Sequence, residues 1–256
     1  MQNLPKPKLN GISALTITTH DLEVSLEFYK KLGFYEVFRA DFPFPWVHLT
    51  DGVLLIMLRK EPVIYISLTY YVNEIDKLAT DLEMDGVKFF YKPKSNDVIK
   101  RYITHSPDGL NVSLVTLVEG FKKPEGQMMF MMPQEDFFNP DKYVNKVCGL
   151  FGELAHPVKD ISQSLPFWEK LGFVVLSKFE APYPWAIISD GLFIIGLHQT
   201  TNFDYPAITY FASDMEAKIA HLKLAGIEGV SEGDTSKNMA IVTPEKQHIN
   251  LFKLGM

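Results

Sequence analysis

The run Asp21-Leu22-Glu23-Val24-Ser25-Leu26-Glu27-Phe28-Tyr29-Lys30-Lys31-Leu32-Gly33-Phe34 is written a second time as Asp160-Ile161-Ser162-Gln163-Ser164-Leu165-Pro166-Phe167-Trp168-Glu169-Lys170-Leu171-Gly172-Phe173. Working outward, residues 14–59 align with residues 153–198 at a constant offset of 139, without a gap and with 16 of 46 positions identical. Pro43-Phe44-Pro45-Trp46 returns as Pro182-Tyr183-Pro184-Trp185, and Asp51-Gly52 as Asp190-Gly191. Runs that hold register in this way mark a tandem duplication. A chain of 256 residues then divides into two copies, each long enough to bury its own core.

Residues 1–11 read as a loose lead-in. From Ile12 to Thr19 apolar and polar residues alternate, the period of a half-buried strand. Asp21 is placed to cap a helix whose apolar positions are Leu22, Leu26 and Tyr29, and Gly33 stops it. Three strand-like runs follow at 34–38, 46–49 and 53–58, so the unit reads βαβββ. A second unit reads the same way: a strand at 64–72, a helix through Ile75, Leu78 and Leu82 ended by Gly86, then strand-like runs at 87–91, 102–105 and 111–118. The second half repeats the plan. The expected architecture is α+β, with one domain at 1–118, a linker at 119–147 and a second domain at 148–256. The linker carries Met128, Met129, Met131 and Met132 together with Phe137-Phe138, which suits a segment that packs back on a domain or contacts a second subunit.

Composition narrows the function. The net charge of −6 argues against binding a phosphate backbone, so nucleic acid is not an expected partner. No apolar run approaches the roughly 20 residues that cross a bilayer, and the N-terminus lacks the apolar stretch of a secretion signal; a cytoplasmic protein, monomeric or a homodimer, is expected. The single cysteine, Cys148, in an apolar context, reads as a buried inert thiol and excludes a thiolate cluster from one chain.

A paired βαβββ module with Asp21-Leu22, Ser25, Phe28-Tyr29 and Leu32-Gly33-Phe34 in its first helix, repeated as Asp160-Ile161, Ser164, Phe167-Trp168 and Leu171-Gly172-Phe173, resembles the vicinal oxygen chelate superfamily, which includes glyoxalase I, extradiol dioxygenases and the fosfomycin and bleomycin resistance proteins. The turn Ser106-Pro107-Asp108-Gly109 is similar to that family's Asp-Pro-Asp-Gly. The resemblance implies two domains whose strands curve into cups, and a divalent metal held in a cup by His, Glu or Gln. Its ligand positions fall on Ala14, Ser67 and Ser113 in the first domain, with Ile56 nearby, and on Glu153, Ala207 and Asn250 in the second, with Ile195 and Leu197 nearby. Three protein ligands are the usual minimum for such a metal, and neither set provides them. No cofactor is therefore expected, and a divalent metal is the alternative.

Glu153 points into the cup by strand parity and is the candidate general base, against a carboxylate paired with a local Lys or Arg or exposed at an edge. His248 and Asn250 share a face of the last strand and are candidate ligand contacts, although a surface His248 in a turn is the plainer reading. His156 has the parity opposite to Glu153 and should face the helices. His48 shares a strand face with Trp46 and Thr50 and is a further contact candidate; His105 and His198 read as surface residues. Trp46 and Trp185, on stiff Pro-aromatic-Pro turns, suit the wall of a pocket for an apolar or planar ligand or else a plug between strands and helix. These residues describe a glyoxalase-like protein that binds a small molecule without a complete metal site. The alternative is a metal-dependent lyase, isomerase or dioxygenase, and a third reading makes the domains packing modules with a protein-binding linker.

Overall fold

The structure is a computed structural model that describes residues 4–9, 11–42, 44–97, 99–117, 132–230 and 237–255. The first half runs β1 (Gly11–Thr19), α1 (Leu22–Lys31), β2 (Tyr35–Ala40), β3 (Trp46–Thr50), β4 (Leu55–Lys60), β5 (Ile66–Val72), α2 (Ile75–Met84), β6 (Arg101–His105) and β7 (Asn111–Thr116). The second runs β8 (Leu150–Val158), α3 (Ile161–Lys170), β9 (Val174–Phe179), β10 (Trp185–Ser189), β11 (Ile194–Gln199), β12 (Ala207–Ala212), α4 (Met215–Leu224), β13 (Asn238–Val242) and β14 (His248–Lys253). Each half forms one seven-stranded sheet, ordered β2-β3-β4-β1-β5-β7-β6 and β13-β14-β12-β8-β11-β10-β9. The opening strands of the two modules, β1 with β5 and β8 with β12, pair antiparallel and join the modules edge to edge. The segment read as a strand at 87–91 contributes only an isolated bridge between Tyr91 and Ile103.

The helices begin and end where the sequence places the signals. Asp21 accepts from the amides of Glu23 and Val24, and Asp160 from Ser162. Gly33 and Gly172 lie in the left-handed region at φ +88° and +93°, which a side chain would disfavour.

The strongest matches of the repeat lie between the halves. Tyr70 on β5 donates to Asp190 Oδ2 at 2.7 Å, and its counterpart Tyr210 on β12 donates to Asp51 Oδ2 at 2.6 Å. Ser25 on α1 reaches Glu245 at 2.9 Å, while Ser164 on α3 reaches Asp108 at 2.5 Å. Each half thus supplies the same clasp to the other. The lead-in takes part: Leu9 is buried, and Lys8 Nζ bonds Asp85 Oδ2 at 2.6 Å and the carbonyl of Lys170 at 2.7 Å. The reading of residues 1–11 as loose is corrected for this section, because it crosses to the end of α3 in the other half. Before β8, Asn145 makes the corresponding crossing to Leu32 O at 3.1 Å and Asp51 Oδ2 at 3.0 Å. In the linker Met132 and Tyr143 are buried, with Tyr143 bonded to Ser213 at 2.9 Å; Met128, Met129 and Met131 lie outside the described residues. Cys148 is fully buried and its thiol is pushed up by burial, as an inert thiol should be.

Candidate functional site

Strand parity assigns the two faces of each sheet. Leu15, Ile17, Ile56, Leu58, Leu68 and Tyr70 in the first half, and Leu154, Ile195, Leu197, Ile208, Tyr210 and Leu251 in the second, belong to the core on the helix side. The alternate residues line the cups. Ile56, Ile195 and Leu197 are thus corrected as cup-side neighbours: the cup positions on β4 and β11 are Met57 with Arg59, and Gly196 with His198. A shift of one residue along a strand exchanges its faces.

The first cup is filled by its own side chains. Tyr71 OH bonds Met57 Sδ at 2.9 Å and His48 Nε2 at 3.0 Å, while Trp46 meets His48 edge-on with centroids 4.9 Å apart. Burial lowers the His48 pKa to about 3, so this imidazole is a neutral part of the packing. Ala14 offers no ligand atom, Thr16 bonds Thr69 at 2.7 Å, and Ser67 bonds Ser113 at 2.9 Å. Arg59 is held by Glu61 at 2.7 Å and by the Tyr65 hydroxyl, and lies 4.9 Å from the Phe44 ring centre.

The second cup is built differently. Glu153, 6% exposed, is hydrogen-bonded through Oε1 to His198 Nε2 at 2.8 Å. This pairing answers neither plain alternative for Glu153, since among the described residues no Lys or Arg is bonded to it and it is not exposed. His198 is corrected from a surface residue to one 8% exposed, and its ring lies parallel to Trp185 at 3° with centroids 5.5 Å apart. Trp185 stacks in turn on Phe179 at 4.0 Å, and Tyr183 OH stands 3.4 Å from His198 Nδ1. Gly196 makes room beneath the pair: a Cβ there would collide with the Glu153 carboxylate. Where the first cup has Met57 and His48, the second has Gly196 and Ile187 at the 139-residue offset, and the space above Gly196 is taken by the Glu153 carboxylate and the His198 ring.

Across β8, β12 and β14 the register places Glu153 opposite Thr209 and Thr209 opposite Asn250. Glu153 Oε2 and Thr209 Oγ1 are buried without a hydrogen-bond partner among the described residues, as is His248 Nδ1. His248 is corrected from a turn residue: it opens β14, half-buried, and stacks on Tyr205 with ring centroids 3.4 Å apart. Burial lowers its pKa, against the opposing pull of Asp204. His156 faces the helices as its parity requires, 3.3 Å from Ser106 Oγ, and burial lowers it to about 4. Sequence reasoning missed His198, Thr209 and Gly196; the core face of Ile195 and Leu197 was the signal that would have found two of them.

The residues present do not fit the divalent ion that the resemblance implies. Ala207 stands at one ligand position, the strand carrying Gly196 supplies a single imidazole, and that imidazole is committed to Glu153. Among the described residues no group of three or more His, Cys, Asp or Glu is arranged to hold a metal.

No family model matches the chain. No curated protein matches it in sequence. In three dimensions it is similar to a variant of homoprotocatechuate 2,3-dioxygenase from Brevibacterium fuscum (14% identity, TM-score 0.60, covering 96% of this chain and 72% of that one). It is equally similar to the 2,3-dioxygenase LapB from Pseudomonas sp. KL28 (15%, 0.60, 99% and 94%) and to homoprotocatechuate 2,3-dioxygenase from Arthrobacter globiformis (15%, 0.60, 98% and 81%). Among the described residues no helix is long and apolar enough to cross a membrane. Two seven-stranded sheets, each made of paired modules and matched over nearly the whole chain by these enzymes, give the chain the fold of two tandem vicinal oxygen chelate domains.

Proposed function

We propose that the protein binds a small organic molecule in its second cup, within domains bounded at 1–118 and 148–256, and that the first domain is a structural partner. The observation that carries this reading is the Glu153–His198 pair, buried beneath aromatic walls with the second carboxylate oxygen unsatisfied. A buried acceptor without a donor costs about 1–3 kcal/mol, so a site that retains one has a use for it in the bound state. Trp185, His248 and Asn250 are the proposed ligand contacts beside Glu153. Trp46 and His48, packed against Tyr71 and Phe38 in the filled first cup, have less room to act.

A metal-dependent enzyme of the dioxygenase kind is the second reading, and the fold neighbours favour it, since they are ring-cleaving dioxygenases. The donor set weighs against it. A thermal-shift screen of small organic compounds on wild-type protein, Glu153→Gln and Ile187→Trp tests the proposal. Compounds that raise the melting temperature of wild-type protein and not of the two second-cup variants are expected. Shifts that survive in both variants would overturn it.

A further inference from the structure

The polar row of the second cup has one charge type. At the 139-residue offset, Ala14 of the first cup becomes Glu153 and Arg59 becomes His198, so the second cup has a carboxylate and lacks the guanidinium of the first. No Lys or Arg leaves the cup face of β8, β10, β11, β12 or β14, judged by the register of those strands. Glu153 Oε2, turned over Gly196 on β11, is a buried carboxylate oxygen without a hydrogen-bond partner among the described residues. The rings about the pair are aromatic: Trp185, Tyr183 and Phe203 around His198, and Tyr205 against His248. Acceptors on the floor and ring faces on the walls both attract positive charge.

From these we infer that the ligand of the second cup is a protonated organic amine carried on an aromatic or apolar body. Its ammonium donates to Glu153 Oε2, and its body lies against Trp185 and Tyr205. His198 keeps the carboxylate turned toward the cup through Oε1. This inference rests on the proposal that the second cup is the ligand site.

Three probes that share one ring and differ in charge test it: 2-phenylethylamine, 2-phenylethanol and phenylacetate, titrated into the whole chain at neutral pH. The tryptophan indole NH signals report binding, with the signal of Trp185 assigned by its loss in Trp185→Phe. The amine is expected to move the Trp185 signal and to bind at least about tenfold more tightly than the alcohol, the effect of one hydrogen bond to a charged group. Phenylacetate is expected to bind more weakly still. Glu153→Gln should bring the amine down to the affinity of the alcohol; if that variant does not fold, the wild-type ranking decides alone. An alcohol or acetate that moves Trp185 at equal or lower concentration overturns the charge selection and leaves the cup as the site. An amine that moves the Trp46 signal alone, or no indole at all, overturns this inference, and movement of Trp46 alone overturns the choice of cup as well.

Discussion

Removing the Tyr70 hydroxyl should weaken the fold more than removing its counterpart on Tyr210, although the repeat writes the two positions alike. Tyr70 OH is the side-chain donor to Asp190 Oδ2, at 2.7 Å, and Asp190 is 0% exposed. The other oxygen is taken by the amides of Leu192 and Phe193 at 2.9 Å each. Tyr70→Phe therefore strands one oxygen of a buried carboxylate, a loss of about 3 kcal/mol at the upper end for a charged acceptor. Asp51 differs because its Oδ2 also accepts from Asn145 Nδ2 at 3.0 Å, so Tyr210→Phe leaves a donor in place and costs about 1 kcal/mol. For a chain of this length each kcal/mol lowers Tm by roughly 2–4 °C, giving drops of about 6–12 °C and 2–4 °C. Urea unfolding of both variants and of the double variant, followed by circular dichroism and fluorescence, reads the difference. Equal losses, or a larger loss for Tyr210→Phe, would refute the assignment of Asn145 as the second donor.

Acid should act through the buried imidazoles. Burial holds His156 at about 4 and His48 at about 3 against 6.5 for a free His, so their contribution is complete above about pH 6.5 and is lost as pH falls toward the folded values. For His156 this amounts to something on the order of 3 kcal/mol by pH 4. Asp190 and Glu245, raised by burial, act in the opposite sense, present at low pH and lost as pH rises through their folded values. The clean observable is thus a difference: His156→Gln should flatten the fall in stability between pH 6.5 and 4 relative to wild type, measured by chemical unfolding at each pH. Gly196→Ala should lower stability by about 1–3 kcal/mol through overpacking and alter Trp185 fluorescence, because the added carbon displaces Glu153 and with it His198. Cys148 should resist thiol reagents in the native state and react only at the rate of unfolding, which a colorimetric thiol assay checks.

The sequence carried the architecture because the same interactions recur in both halves. Asp21 and Asp160 cap helices, Gly33 and Gly172 end them, and Asp51 and Asp190 receive a tyrosine from the opposite half. Identity at the 139-residue offset is densest at such positions, which explains why the repeat was easy to see and why it said little about ligands. The cups diverged: His48 against Ile187, Met57 against Gly196, Ala14 against Glu153. Glu153 was legible from the parity of one strand. His198 was not, because the face of β11 was taken one residue out of step, and a histidine near a strand end has no local mark of burial. The lead-in through Lys8 and Leu9 was equally hidden, since its partners lie more than 70 residues away in the chain.

The most direct test of the central claim is metal content. Wild-type protein, Glu153→Ala and His198→Ala are incubated with iron, manganese or zinc, exchanged into metal-free buffer, and analysed by elemental mass spectrometry alongside their melting temperatures. The account predicts no stoichiometric retention in any of the three and no metal-dependent rise in Tm, since Ala207 and Gly196 leave the ion short of ligands. About one equivalent retained by wild-type protein, with a raised Tm, and lost in both variants would contradict it and make the second cup a metal centre.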